Sequence, residues 1–84
     1  MMIKQSKERN ILPEIGTLVV TSTKILPEKE CYGFFVKEQY IKARKPSTNG
    51  VYIGYVPGAG GDIWWIKHED ETIGAYLVNE IFDR

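Results

Sequence analysis

Residues 50–76 constrain the fold more than any other part of the chain. They read Gly-Val-Tyr-Ile-Gly-Tyr-Val, then Pro57-Gly-Ala-Gly-Gly61, then Asp62-Ile-Trp-Trp-Ile-Lys-His68, then Glu69-Asp-Glu71 and Thr72-Ile-Gly-Ala-Tyr76. Three runs rich in β-branched and aromatic residues are separated by a glycine-rich loop and an acidic tip. Such runs fit pleated, half-buried surfaces, and the breaks between them are turn signals. Three β-rich runs with short connections predict the structural centre of a small β-barrel.

The rest of the chain extends that pattern. Residues 17–23 (Thr-Leu-Val-Val-Thr-Ser-Thr) form a first strand, with Leu18 and Val20 on one face and Val19 on the other. Residues 24–31 hold Pro27 and several charges and read as an exposed loop. Residues 32–36 (Tyr-Gly-Phe-Phe-Val) predict a second strand. Residues 38–44 allow two readings. Tyr40 and Ala43 fall at helical spacing, but the pattern favours a continued or bulged strand. Pro46-Ser-Thr-Asn-Gly50 is a turn, since Asn-Gly supplies positive-φ positions. The third strand covers 51–56, and Gly54 within it predicts a bend or bulge. The fourth covers 63–68 and the fifth 72–76, followed by one 3₁₀ turn at 77–81.

With 84 residues the chain makes one domain. Residues 1–10 are a polar arm and 11–84 a single small β-barrel domain, a shape that removes the exposed edges of an open sheet. Basic and acidic side chains balance at 11 each, which argues against a dedicated DNA binder. The single cysteine, Cys31, allows no intrachain disulfide and predicts a reducing, cytoplasmic setting. No apolar run approaches the roughly 20 residues of a membrane span, and no signal-peptide core is visible.

Four stretches invite a functional reading. The glycine-rich loop lacks the Lys-Ser/Thr and the following helix of a phosphate loop, and Asp62 would repel phosphate. His68 with Glu69, Asp70 and Glu71 suggests a metal or acid–base cluster. Consecutive residues at a strand end diverge, however, so a solvated turn is expected and no metal or cofactor is implied. Trp64 and Trp65 are adjacent, so a strand points them to opposite faces. Ile63, Trp65 and Lys67 share one face and Trp64, Ile66 and His68 the other, which favours Trp64 inside and Trp65 outside. An exposed tryptophan with Tyr52, Tyr55 and Tyr76 near it would be a binding hot spot for a protein partner. Finally Tyr40, Lys42, Arg44 and Lys45 combine bases with an aromatic, the vocabulary of single-stranded nucleic-acid binding.

Gly61-Asp-Ile-Trp-Trp65 and Ile73-Gly-Ala-Tyr-Leu-Val-Asn-Glu-Ile81 resemble the second half of SH3-type domains. Gly74, Asn79 and Ile81 match the Gly, Asn and final Val of that family's ending. Leu77 stands where the groove proline would be, and Glu80 where the groove tyrosine would be. The resemblance implies an SH3-like five-stranded barrel without the polyproline groove. Ile11-Leu12-Pro13, Tyr32-Gly33-Phe34 and Gly60-Gly61-Asp62-Ile63-Trp64 resemble small SH3-like accessory subunits of cyanobacterial and plastid complexes. The expected function is therefore a non-catalytic interaction module that binds a protein through an aromatic patch, with nucleic-acid binding as the alternative.

Overall fold

A computed structural model of the chain describes residues 12–58 and 61–84. The expected arm at 1–10 and part of the glycine-rich loop lie outside the described residues. The rest is built on five strands: β1 (Leu18–Thr21), β2 (Asn49–Val56), β3 (Ile63–His68), β4 (Ile73–Leu77) and β5 (Ile81–Asp83). They form one antiparallel sheet in the order β4-β3-β2-β1-β5. β2, β3 and β4 make an antiparallel meander. β1 joins the other side of β2, and β5 returns to pair with β1. β4 and β5 end the order and are not paired with each other, so the sheet is not closed. One short helix, α1 (Glu38–Lys42), and 3₁₀ turns at Glu28–Glu30 and Val78–Glu80 complete this all-β domain of SH3-like size.

Two expected elements are corrected. Residues 32–36 form no strand: they are an irregular loop in which Tyr32 and Phe35 are 88% and 85% exposed while Phe34 is buried. The fifth strand is instead β5, from the short C-terminal end. Residues 38–42 are helical, not a continued strand, with Ala43 N–H donating to the Gln39 carbonyl at 3.2 Å. The physical reason is shared. β-Propensity measures fit to a half-buried surface, and here the aromatic and aliphatic residues cover a sheet face instead of joining the sheet.

Two smaller points concern glycines. Asn49 and Gly50 belong to β2 and not to the turn, whose positive φ (50°) falls on Ser47. Gly50 is needed for close packing, since a Cβ there would lie 2.6 Å from the Lys67 carbonyl oxygen. Gly54 behaves as predicted. The β2–β3 register shifts between Tyr52 and Gly54, and Gly54 takes φ 143°.

The sheet carries a hydrophobic cluster on each face of β3 and β4. Val19, Tyr52, Ile66, Tyr76 and Ile81 form the first, with Trp64 and Ile25 packed against it. Cys31, Phe34, Ile63 and Ala75 form the second, with Leu26, Tyr40, Ile41 and Trp65 among those packed on it. β3 feeds both because its side chains alternate. The first cluster is made largely by the strands themselves. The second is covered by the long connection between β1 and β2, which carries α1.

Candidate functional site

The second face is incompletely covered. Phe34, Phe35, Val36, Lys37 and Tyr40 form one wall of a shallow groove, and Val56, Pro57 and Trp65 form the other. The walls come from different parts of the chain. The first is the loop that enters α1 together with Tyr40 on α1 itself, and the second is the end of β2 with the middle of β3. Tyr40 meets Trp65 edge-on, with ring centroids 5.0 Å apart and an interplanar angle of 67°. Behind Phe35, a cleft of about 180 Å³ continues toward Ile63 and Leu77. Phe35 is the exposed apolar side chain of this wall. A large apolar side chain held in water beside an apolar groove is unusual for packing and natural for docking.

The residues expected to form a partner patch are divided by the sheet. Trp65 lines the groove. Trp64 lies on the opposite face, edge-on to Tyr52 with centroids 5.0 Å apart. Both tryptophans are half-buried, so neither is simply inside or outside. Tyr52 and Tyr76 are core residues, 2% and 0% exposed. Tyr55 is exposed and registers with Trp64, hence on the side away from the groove. Of the five, only Trp65 reaches the groove. Phe35, Tyr40, Val36, Val56 and Pro57 supply the rest. The available signal was the Phe34-Phe35 doublet, which must split between core and solvent wherever the backbone is extended.

The basic set also disperses. Arg44 is buried, with its side chain 3% exposed. Its guanidinium lies 5.2 Å from the ring centres of both Phe34 and Tyr76. Nη1 donates to the Ala75 carbonyl (2.7 Å) and to Glu80 Oε1 (3.0 Å). Nη2 donates to the Leu26 carbonyl (3.0 Å) and to Glu80 Oε2 (2.7 Å). Glu80 also accepts the N–H groups of Leu26 and Leu77, each at 2.8 Å. Burial pushes its carboxyl up, but the Arg44 and backbone hydrogen bonds outweigh this and hold it below the usual carboxylate range. Lys42 pairs with Glu38 at 3.6 Å and Lys45 with Asp70 at 3.2 Å, both at the surface. Tyr40 and Lys42 sit on α1, so no basic and aromatic strand face exists at 40–45.

His68 is corrected from a solvated turn residue to a buried one, 3% exposed. Its Nε2 lies 2.6 Å from the Tyr76 hydroxyl and its Nδ1 2.9 Å from Thr72 Oγ1. Burial, reinforced by Lys45, lowers its pKa from the ordinary 6.5. Glu69, Asp70 and Glu71 remain exposed, as expected for a turn. Among the described residues no cluster of three His, Cys, Asp or Glu side chains is placed to hold a metal ion. Cys31 is buried and its Sγ donates to the Pro27 carbonyl at 3.4 Å; burial raises its pKa, against a thiolate role. The glycine-rich loop leads into β3 and not into a helix.

Among the described residues no helix is long and apolar enough to cross a membrane. Comparison with known proteins finds no matching family model, no matching curated sequence and no matching solved structure.

Proposed function

We propose that the chain is a non-catalytic interaction module of the SH3-like barrel type, working in the cytoplasm, that holds a segment of a partner protein in the groove of Phe35, Tyr40 and Trp65. The observation that carries the reading is Phe35, 85% exposed beside an apolar groove. The groove suits an apolar or aromatic side chain, because stiff aromatic walls lose little entropy on binding. Lys37 stands at its rim and meets no carboxylate among the described residues, whereas Lys42, Lys45 and Lys67 each do. An acidic residue beside the apolar anchor of the partner would complete the contact.

The test is site-specific. A photo-crosslinking side chain is placed at position 35, and at exposed Val78 on another part of the surface as control. Transfer to one protein from position 35 alone, lost on competition with the unmodified chain but not with its Phe35→Ala variant, supports the reading. Equal labelling from both positions sinks it. No observation favours nucleic acid, since Arg44 is engaged with Glu80. Tight binding of a single-stranded oligonucleotide that falls steeply with salt would nevertheless replace the protein-partner reading.

A further inference from the structure

A directed chain of hydrogen bonds joins the β3–β4 turn to the stretch that leads from α1 into β2. Lys45 N–H lies 2.8 Å from the Tyr76 hydroxyl, and that hydroxyl lies 2.6 Å from His68 Nε2. His68 Nδ1 lies 2.9 Å from Thr72 Oγ1, which lies 2.6 Å from Asp70 Oδ1. The direction of every bond follows from proton counting. An ionised carboxylate only accepts, and a hydroxyl has one proton to give. Asp70 is held well below the usual carboxylate range, first by the Thr72 hydroxyl, so it is ionised. The Thr72 proton therefore goes to Asp70, and Thr72 Oγ1 is left to accept. Lys45 Nζ donates to it at 3.5 Å, and His68 Nδ1, at 2.9 Å from an oxygen with no proton left to give, must carry a proton and donate to it as well.

A neutral imidazole has one N–H. With it on Nδ1, Nε2 is bare and accepts the Tyr76 proton, while the Tyr76 oxygen accepts Lys45 N–H. This is the tautomer that free histidine favours less. The structure also contains a second place for the Tyr76 proton: its hydroxyl lies 3.2 Å from the Lys45 carbonyl oxygen. If Nε2 gains a proton it becomes a donor, and the hydroxyl can turn to that carbonyl while accepting both Nε2–H and Lys45 N–H.

We infer that His68 is a proton-operated latch: neutral, it carries its proton on Nδ1 and accepts the Tyr76 hydroxyl proton at Nε2; protonated, it donates to the Tyr76 oxygen, and the hydroxyl proton turns to the Lys45 carbonyl. Both states keep the ring nitrogens partnered. The charged state buries a cation near Lys45, which opposes it, and near Asp70, which favours it. Lys67, Glu69 and Glu71 flank His68 on β3 and the turn, and Arg84 lines the same surface cleft. β2 contributes only uncharged Gly50 and Val51 there. Gly74 permits the arrangement, because a Cβ at that position would lie 2.7 Å from Tyr76 Cε1 and 2.9 Å from His68 Cε1.

The chain has one histidine, so its ring signals are unambiguous. The experiment is ¹⁵N ring spectroscopy of the full chain from pH 8 down to the onset of unfolding. The expected result is a protonated Nδ1 and an unprotonated Nε2 at neutral pH. Nε2 then gains its proton at a pH below the free-histidine value. Thr72→Val, at an exposed position, removes the acceptor and should move the neutral proton to Nε2, whereas Thr72→Ser should leave it on Nδ1. An Nε2–H tautomer in the native chain overturns the latch, and so does a Thr72→Val variant that keeps the proton on Nδ1.

Discussion

Replacing Glu80 by Gln removes one negative charge and almost no volume, so the consequences can be followed bond by bond. Glu80 accepts four hydrogen bonds: two from Arg44 and one each from the N–H groups of Leu26 and Leu77. A glutamine has one oxygen, and its –NH₂ would face donors. One or more bonds are lost, a donor meets a donor, and the Arg44 guanidinium is left buried without its counter-charge. Breaking one side of a buried pair costs about 3–5 kcal/mol. A chain of 84 residues has a total stability of roughly 4–13 kcal/mol, so Glu80→Gln should lose between about a quarter and all of it. Urea titration followed by fluorescence of the half-buried Trp64 and Trp65 reads the change. With a slope of about 1 kcal/mol per M, the midpoint should fall by roughly 3 M or more.

The sharper test is the double variant Arg44→Met/Glu80→Leu. An apolar replacement of a buried ion pair is often neutral or stabilising. Here it should not be, because the pair also satisfies four backbone groups: the N–H and carbonyl of Leu26, the Ala75 carbonyl and the Leu77 N–H. Each orphaned group costs about 1–3 kcal/mol. That outweighs the relief of Arg44 Nε, which is buried without a partner among the described residues. The double variant should lose about 3 kcal/mol or more. If it matches the native chain, Arg44 and Glu80 are an ordinary buried pair, and their bonds to the four backbone groups add nothing to stability.

Four further outcomes follow. Phe35→Ala should change the melting midpoint little, since the side chain is exposed, while Trp64→Ala should cost roughly half of the 3–5 kcal/mol typical of a fully buried aromatic; paired thermal melts separate the two. Gly74→Ala should destabilise markedly and disturb the His68 ring signals, because the new Cβ meets both the Tyr76 and His68 rings; unchanged signals would refute the contact. His68 has a lowered folded pKa, so its contribution to stability is complete above about pH 6.5 and is lost as pH falls below that toward the folded value; denaturant titrations at pH 7 and 5.5 should show the drop, and His68→Gln should flatten it. Glu80 acts in the same sense at lower pH, its contribution complete above about 4.5 and lost as pH falls through its depressed folded value, which acid titration by circular dichroism measures.

The parts of this fold that were legible in the sequence are those decided by neighbours along the chain. β3 reads off its alternation from Ile63 to His68, and the Gly54 irregularity reads off a glycine inside a β-rich run. The division of Trp64 and Trp65 between faces needed only strand geometry. The parts that were not legible depend on partners far away in sequence. Arg44 resembles the lysines around it until Glu80, 36 residues later, folds against it. His68 resembles part of an acidic turn until Tyr76 and Lys45 enclose it. Residues 32–36 have strand composition, but composition cannot tell a strand from a cover laid over one. The resemblance to SH3-type endings placed Glu80 at a groove position, yet Glu80 is 5% exposed and belongs to the interior.

The two adjacent tryptophans connect these observations. A strand that points one Trp to each face commits the domain to covering both faces. The sheet curls over the first through β1 and β5, whose Val19 and Ile81 join the cluster that Trp64 packs against. It has no strand left for the second. The connection between β1 and β2 supplies that cover, and it contains only a 3₁₀ turn and a five-residue helix, too short to be stable alone. It must therefore be fastened from outside itself, and Arg44 does this by binding Leu26 near one end of the connection, Ala75 on β4 and Glu80 after it. The cover closes on Trp65 through Tyr40 but leaves Phe35 exposed beside the groove that Trp65 lines. On this argument the groove and the buried ion pair are one solution to one problem. Weakening Arg44 should then release the cover and the groove before it disturbs the cluster built on Val19 and Tyr52.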